Sequence, residues 1–217
     1  MKRTAIILSL IAFLSSCKSG DKKTIDATAK DTTIIASVTA SGTEAADPDS
    51  ASRMKNMQEY MTPGKEHQMM AAWNGTWNGE MTFWMSPSAP PVKATTSSIN
   101  KMILGGRFQQ STMKTTINKM PFEGLSIMGF DNAKKVFTET WIDNMTTGTI
   151  LLQGPWNETT KSMSLTGTEV DPATGKERFI RQMLRVIDND RQVMEMYEPG
   201  PDGKEMKTME VFYTRKK

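Results

Sequence analysis

The chain has 217 residues, a formal net charge of +3, one cysteine and one histidine, with 37% hydrophobic and 24% charged residues. That is room for one domain of ordinary size with extensions. A lone cysteine excludes an internal disulfide and a thiolate metal cluster, one histidine excludes a zinc site built on several His or Cys ligands, and no basic stripe of the kind nucleic acid requires is present; neither a metal nor a cofactor is expected.

Met1, Lys2 and Arg3 make a basic start, Thr4 to Leu14 is a short apolar run, and Leu14, Ser15 and Ser16 lead to Cys17. This is the layout of a cleaved secretory signal, too short to span a bilayer with its requirement of about 20 apolar residues. The segment resembles a bacterial lipoprotein signal. The resemblance implies that Cys17 becomes the mature N-terminus and carries lipid, so that the chain's partner is a membrane of the bacterial cell envelope. Lys18 stands where an aspartate would signal inner-membrane retention, which points to the outer membrane. Several acyl chains on one cysteine anchor far more firmly than one. Without Lys2 and Arg3 the 27 basic residues fall to 25 against 24 acidic ones, a charge of +1. The basic character is therefore partly that of the signal.

From Lys18 to Ser52, Thr, Ala, Ser, Asp and Lys dominate, no aromatic occurs, and Ile25, Ile34, Ile35 and Val38 show no sustained period. Such a segment cannot bury enough surface to offset its chain entropy; as a coil it would hold a domain about 30 Å from the lipid. The expected organisation is a signal over 1–16, a lipid-anchored tether over 17–52 and a folded domain over 53–217. Met54, Met57 and Met61 then fall at helical spacing, and Thr62 followed by Pro63 predicts a helix restart with Thr62 as N-cap. That second helix carries His67, Met70, Ala71 and Trp73, stops at Gly75, and is expected to lie across one end of the strand-rich remainder of the chain.

From Thr76 onward the sequence predicts ten extended segments: 76–85, 92–103, 107–116, 121–130, 135–143, 149–156, 161–168, 176–187, 191–198 and 205–214. Between them stand Ser86 to Pro91, the glycine pair at 105 and 106, Asp131 with Asn132, Asn157 to Thr160, Asp171 to Gly175, Asp188 to Asp190 and Pro199 to Gly203. Nine short connections without a helical interlude imply antiparallel neighbours throughout. Met81, Phe83 and Met85 alternate with Glu80, Thr82 and Ser86, so one face is buried and the other wet. Ten strands in up-and-down order leave two long edges unless the sheet closes. The fold class is therefore all-β, an antiparallel up-and-down barrel of about ten strands with a short N-terminal capping helix. A barrel of this size is wider than side chains alone fill, which allows an internal cavity.

The motifs from Met61 to His67, Gly75 to Trp77 with Gly79, Ile103 to Arg107, Pro121 to Gly124, Gly129 to Asp131, Thr140 to Asp143, Asp202 to Lys204 and Thr208 to Glu210 resemble, in this order, the bacterial family called domain of unknown function 1579. The likeness covers Met61 to Lys217 and implies no reaction. A looser likeness is to the calycins, the lipocalin and fatty-acid-binding barrels, in which a Gly-x-Trp on the first strand is covered by an arginine from near the last. It implies that Gly75, Trp77 and Arg215 form a structural closure, with the arginine over the indole contributing about 0.5–2 kcal/mol.

His67 stands on the capping helix, and no strained Gly-x-Ser-x-Gly turn accompanies it, so no catalytic residue is assigned. Nineteen methionines suggest either copper thioethers, with Met194, Met196, Met206 and Met209 the group to converge, or an adaptable apolar wall. Glu123 lies between Phe122 and Gly124, and Glu139 and Asp143 share strand parity with Phe137 and Trp141. If inward, these carboxylates need Arg107 or a ligand as partner; if outward, they are solvated. The expected function is binding of a small, mostly apolar ligand, with Trp77, Arg107, Phe122, Glu123, Trp141 and Asp143 as pocket or mouth residues. A solidly packed structural or interaction module is the alternative, and a carboxylate-based hydrolase or isomerase a third reading.

Overall fold

The computed structural model describes residues 49–117, 119–172 and 174–217; the signal over 1–16, Cys17 and the tether as far as residue 48 lie outside them. Helix α1 spans Ser50–Met61 and α2 spans Lys65–Ala72. The strands are β1 Gly75–Phe83, β2 Val92–Ile103, β3 Phe108–Ile117, β4 Met120–Asp131, β5 Val136–Asp143, β6 Ile150–Gly154, β7 Trp156–Asn157, β8 Ser162–Val170, β9 Glu177–Val186, β10 Arg191–Pro199 and β11 Glu205–Arg215. Since β7 has only two residues, ten strands make the wall, within a residue or two of the ranges the sequence predicts.

Every neighbouring pair is antiparallel and the order runs β6-β5-β4-β3-β2-β1-β11-β10-β9-β8-β7, with β6 also paired to β8. That last pairing closes the barrel. It has a single ladder position, Gln153 against Thr166, and depends on two glycines. A methyl group on Gly154 would meet the carbonyl oxygen of Ser164, and one on Gly167 the carbonyl oxygen of Leu151. Both contacts are with backbone, which has no rotamer to yield, so only glycine lets the strands come together here.

The helical segment ahead of β1 differs from the expectation in two respects. Helix α1 starts at Ser50, inside the expected tether, because Asp49 caps it by accepting the Ser52 N–H at 2.7 Å. Thr62 does not cap α2. It precedes a proline, which disfavours helical backbone, and it ends α1 in an extended conformation with its hydroxyl donating to the Gln58 carbonyl at 2.7 Å. Gly64 takes the N-cap place instead, its N–H donating to Nδ1 of His67 at 3.0 Å. Carbonyls at and just past the end of α1 are served from the barrel: Asn132 Nδ2 donates to Glu59 O and Thr62 O, and Arg107 to Met61 O.

Alternate connections fall at opposite ends of the barrel. The β2–β3, β4–β5, β6–β8 and β9–β10 connections surround α2, and Met70 and Trp73 at the end of that helix are buried against Trp77, Met128, Phe137 and Leu152. The far end holds a smaller cluster around Met81, Met113 and Val211. Between the two clusters the barrel is not filled.

Candidate functional site

The barrel interior holds a partly open cavity of about 260 Å³. Its wall follows from strand parity: the inward residues of β3, β4, β5, β9 and β10 include Gln109 and Met113, Ser126 and Met128, Glu139 and Trp141, Gln182 and Leu184, and Gln192 and Met194. Six methionines line it, Met81, Met113, Met128, Met194, Met196 and Met209, a soft and adaptable surface. Three of the four methionines considered for copper are in this wall and Met206 is not.

The end under α2 is shut by hydrogen bonds. Gln109 Nε2 donates to the Met70 carbonyl at 2.5 Å, while Trp77 Nε1 and Asn100 Nδ2 both donate to the Trp73 carbonyl, at 2.9 and 3.3 Å. Trp77 pairs in register with Arg215, whose guanidinium carbon lies 4.3 Å from the indole centroid. The same guanidinium donates to the carbonyls of Ala72, Asn74 and Asn189 and pairs with Asp190 at 3.1 Å. Gly75, at φ +120°, lets the chain turn from helix into β1, and a Cβ there would stand 3.2 Å from that guanidinium. His67 belongs to this closure as well: its ring sits edge-on to Phe130 at 6.1 Å. Burial holds its pKa below the ordinary value, Glu66 opposing this and Arg107 adding to it.

Midway along the barrel the wall turns polar. Glu139 is buried, with Oε1 accepting from Ser126 Oγ at 2.6 Å and Oε2 from Gln182 Nε2 at 2.5 Å. Burial pushes its carboxyl above the usual carboxylate range, against those two hydrogen bonds. Tyr213 is also pushed upward, by burial first and by the charge of Glu139 second. At the far end Phe122 and Trp141 stack with centroids 6.3 Å apart and planes at 17°. Gly124 lies beneath Trp141, where any Cβ would overlap the indole.

Of the six candidate ligand residues, Trp77, Phe122 and Trp141 line the cavity, the first at the α2 end and the other two at the far end. Arg107, Glu123 and Asp143 stand outside its wall, and here the structure departs from what the sequence suggests. Arg107 is exposed in the β2–β3 turn, donating to the Met61 and Leu104 carbonyls at 2.8 and 3.4 Å. Glu123 has the opposite parity to Phe122, faces outward and pairs with Lys114 at 3.2 Å. Asp143 shares the parity of Trp141 but sits where β5 ends. There its Oδ1 accepts from the Met145 and Thr146 N–H groups and its Oδ2 from Trp141 Nε1. Burial alone would raise its pKa, but those bonds together hold it below the ordinary value. Glu139 is thus the only carboxylate in the cavity wall among the described residues, without the second acid that paired acid–base work requires. The polar wall residues Ser126, Gln182, Gln192 and Tyr213 are not among the sequence candidates, although each lies in an inward register position.

No match to a curated protein was found. The crystal structure of Rv2717c from M. tuberculosis is similar, with a TM-score of 0.55 and 14% identity over 72% of this chain and 100% of that one; at that identity the likeness is one of fold. The family model described as Protein of unknown function (DUF1579) matches residues 62–215, and the chain belongs to that family.

Proposed function

We propose that the barrel binds a small, mostly apolar ligand in its interior, and that it does so from the cell envelope, held there by lipid on Cys17. The cavity carries the first part. A volume of about 260 Å³ with a wall of methionine and aromatic side chains lies just below the about 300–1,000 Å³ of pockets that take drug-sized molecules, so a ligand of modest size fits. A solidly packed barrel, the alternative from the sequence, would leave no such space. The second part rests on the basic start, the apolar run and the lone cysteine after Leu14, and the outer membrane is the expected site because Lys18 follows that cysteine.

Native mass spectrometry of the chain purified from its own host tests the binding: a co-purifying small molecule is expected, released on unfolding. Its absence, together with failure of the cavity to take up small apolar probes, would remove the hypothesis. For the anchor, Cys17→Ser should shift the protein out of the membrane fraction. Retention of that variant in membranes would show that the lipid is not what holds it.

A further inference from the structure

Two hydrogen-bond donors on side chains of the cavity wall lack a good acceptor, one of them, Gln192 Nε2, packed into the wall itself. Gln192 is 5% exposed, and its Nε2 has no hydrogen-bond partner, the one buried side-chain polar atom of the described residues in that state. A buried amide left unmade is costly, and such groups are rare unless something outside the chain completes them. Directly opposite Gln192 in the β10–β11 register is Tyr213, whose hydroxyl reaches the Met113 sulfur at 3.7 Å. A thioether is a weak acceptor. Both side chains line the cavity.

The charges in the wall are as informative as the donors. No lysine or arginine of the described residues lines this cavity, and the one carboxyl group among its described lining residues is that of Glu139. An anionic ligand would enter a low-dielectric space with no cation to balance it, facing a carboxyl group. A cationic head would leave the donors on Gln192 and Tyr213 as unsatisfied as before. Glu139, for its part, already receives Ser126 and Gln182 on its two oxygens, and burial favours its neutral form.

We propose that the ligand is uncharged: an apolar body with a carbonyl or hydroxyl oxygen that accepts hydrogen bonds from the Tyr213 hydroxyl and from Gln192 Nε2, the Gln192 amide turning toward the cavity as the ligand enters. This rests on the reading of the barrel as a ligand carrier and narrows it to neutral amides, esters, ketones or alcohols, and away from free carboxylic acids and amines. The cavity of about 260 Å³ equals about nine units at the roughly 30 Å³ a water molecule occupies in the liquid, which suits an eight-carbon chain with a small head.

The test uses ligand-observed NMR on the detergent-free full chain at pH 7, with octanamide, octan-1-ol, octanoate, octylamine and toluene as probes. Octanamide and octan-1-ol should bind at least about tenfold more tightly than octanoate and octylamine. Gln192→Leu should weaken octanamide about tenfold, the worth of one good hydrogen bond, and Tyr213→Phe should weaken it several-fold. Both variants should keep toluene binding, which shows that they fold and that the cavity is intact. Octanoate or octylamine binding as tightly as octanamide would overturn the uncharged head and leave ligand binding standing. Unchanged octanamide affinity in both variants would overturn the assignment of the donors. If no probe enters, toluene included, the carrier reading falls and this proposal with it.

Discussion

Replacing Glu139 by glutamine should remove a pH dependence of stability whose sign follows from the structure. The carboxyl accepts from Ser126 at 2.6 Å and from Gln182 at 2.5 Å, and burial, opposed by those bonds, raises its pKa above the ordinary 4.5. The folded chain therefore holds this proton more tightly than the unfolded chain does. The resulting stabilisation is present in full below about pH 4.5 and is lost as pH rises through the folded value. Within that window a proton bound in the folded but not the unfolded state makes stability fall by about 1.4 kcal/mol per pH unit. In a domain of this size, 1 kcal/mol corresponds to about 2–4 °C in melting temperature. The wild-type chain should thus lose about 3–6 °C per pH unit relative to Glu139→Gln on climbing from pH 4.5.

Glutamine keeps the volume and an acceptor for Ser126, and the Gln182 amide can turn to offer its oxygen to the new NH2 group. Other titrating groups are common to both chains and cancel in the difference. Melting both in half-unit steps from pH 4.5 to 7.5 gives the comparison directly. Parallel curves over that range would refute the reasoning, because they would mean that Glu139 titrates when folded as it does when unfolded.

Gly154→Ala and Gly167→Ala should each cost at least about 2 kcal/mol in urea unfolding, since the added methyl meets backbone oxygen. Gly148→Ala, with open space around its site, should stay within about 0.5 kcal/mol of wild type, and equal losses at all three would show that the seam does not depend on close approach at the two glycines. Arg215→Met should destabilise by about 2–3 kcal/mol through the lost stacking and charged hydrogen bonds. Arg215→Lys should recover only part, because an ammonium lacks the planar fork that serves Ala72, Asn74 and Asn189 together; full recovery by lysine would show that charge alone matters there. Arg107→Ala should speed proteolysis between α1 and α2 while changing barrel stability by less than about 1 kcal/mol, and a large loss of ligand affinity in this variant would contradict its place outside the cavity.

The strands are legible in the sequence because several show period-two alternation and turn residues such as Pro, Gly, Asn or Asp stand between them, and the order follows from short connections. What parity does not give is height along the barrel. Arg107, Glu123 and Asp143 group together on paper because their charges complement one another. Yet Arg107 belongs to the β2–β3 turn and Glu123 follows the β3–β4 turn, and in an up-and-down barrel consecutive turns lie at opposite ends. That signal is in the sequence, since counting turns separates the two residues by a strand length. The seam is less legible, because nothing local distinguishes Gly154 and Gly167 from ordinary turn glycines; their necessity comes from strands remote in sequence.

Inward polar positions are legible too, as Gln109, Ser126, Glu139, Gln182 and Gln192 all share the parity of apolar wall residues. Their fates are not. Gln109 meets a helix carbonyl and Gln182 meets Glu139, while Gln192 Nε2 meets nothing. Three glutamines in similar strand contexts thus differ only in what the closed barrel brings opposite them. Pairing of side chains from different strands is fixed by closure, and the unpaired one is the observation on which the proposal of an uncharged ligand rests.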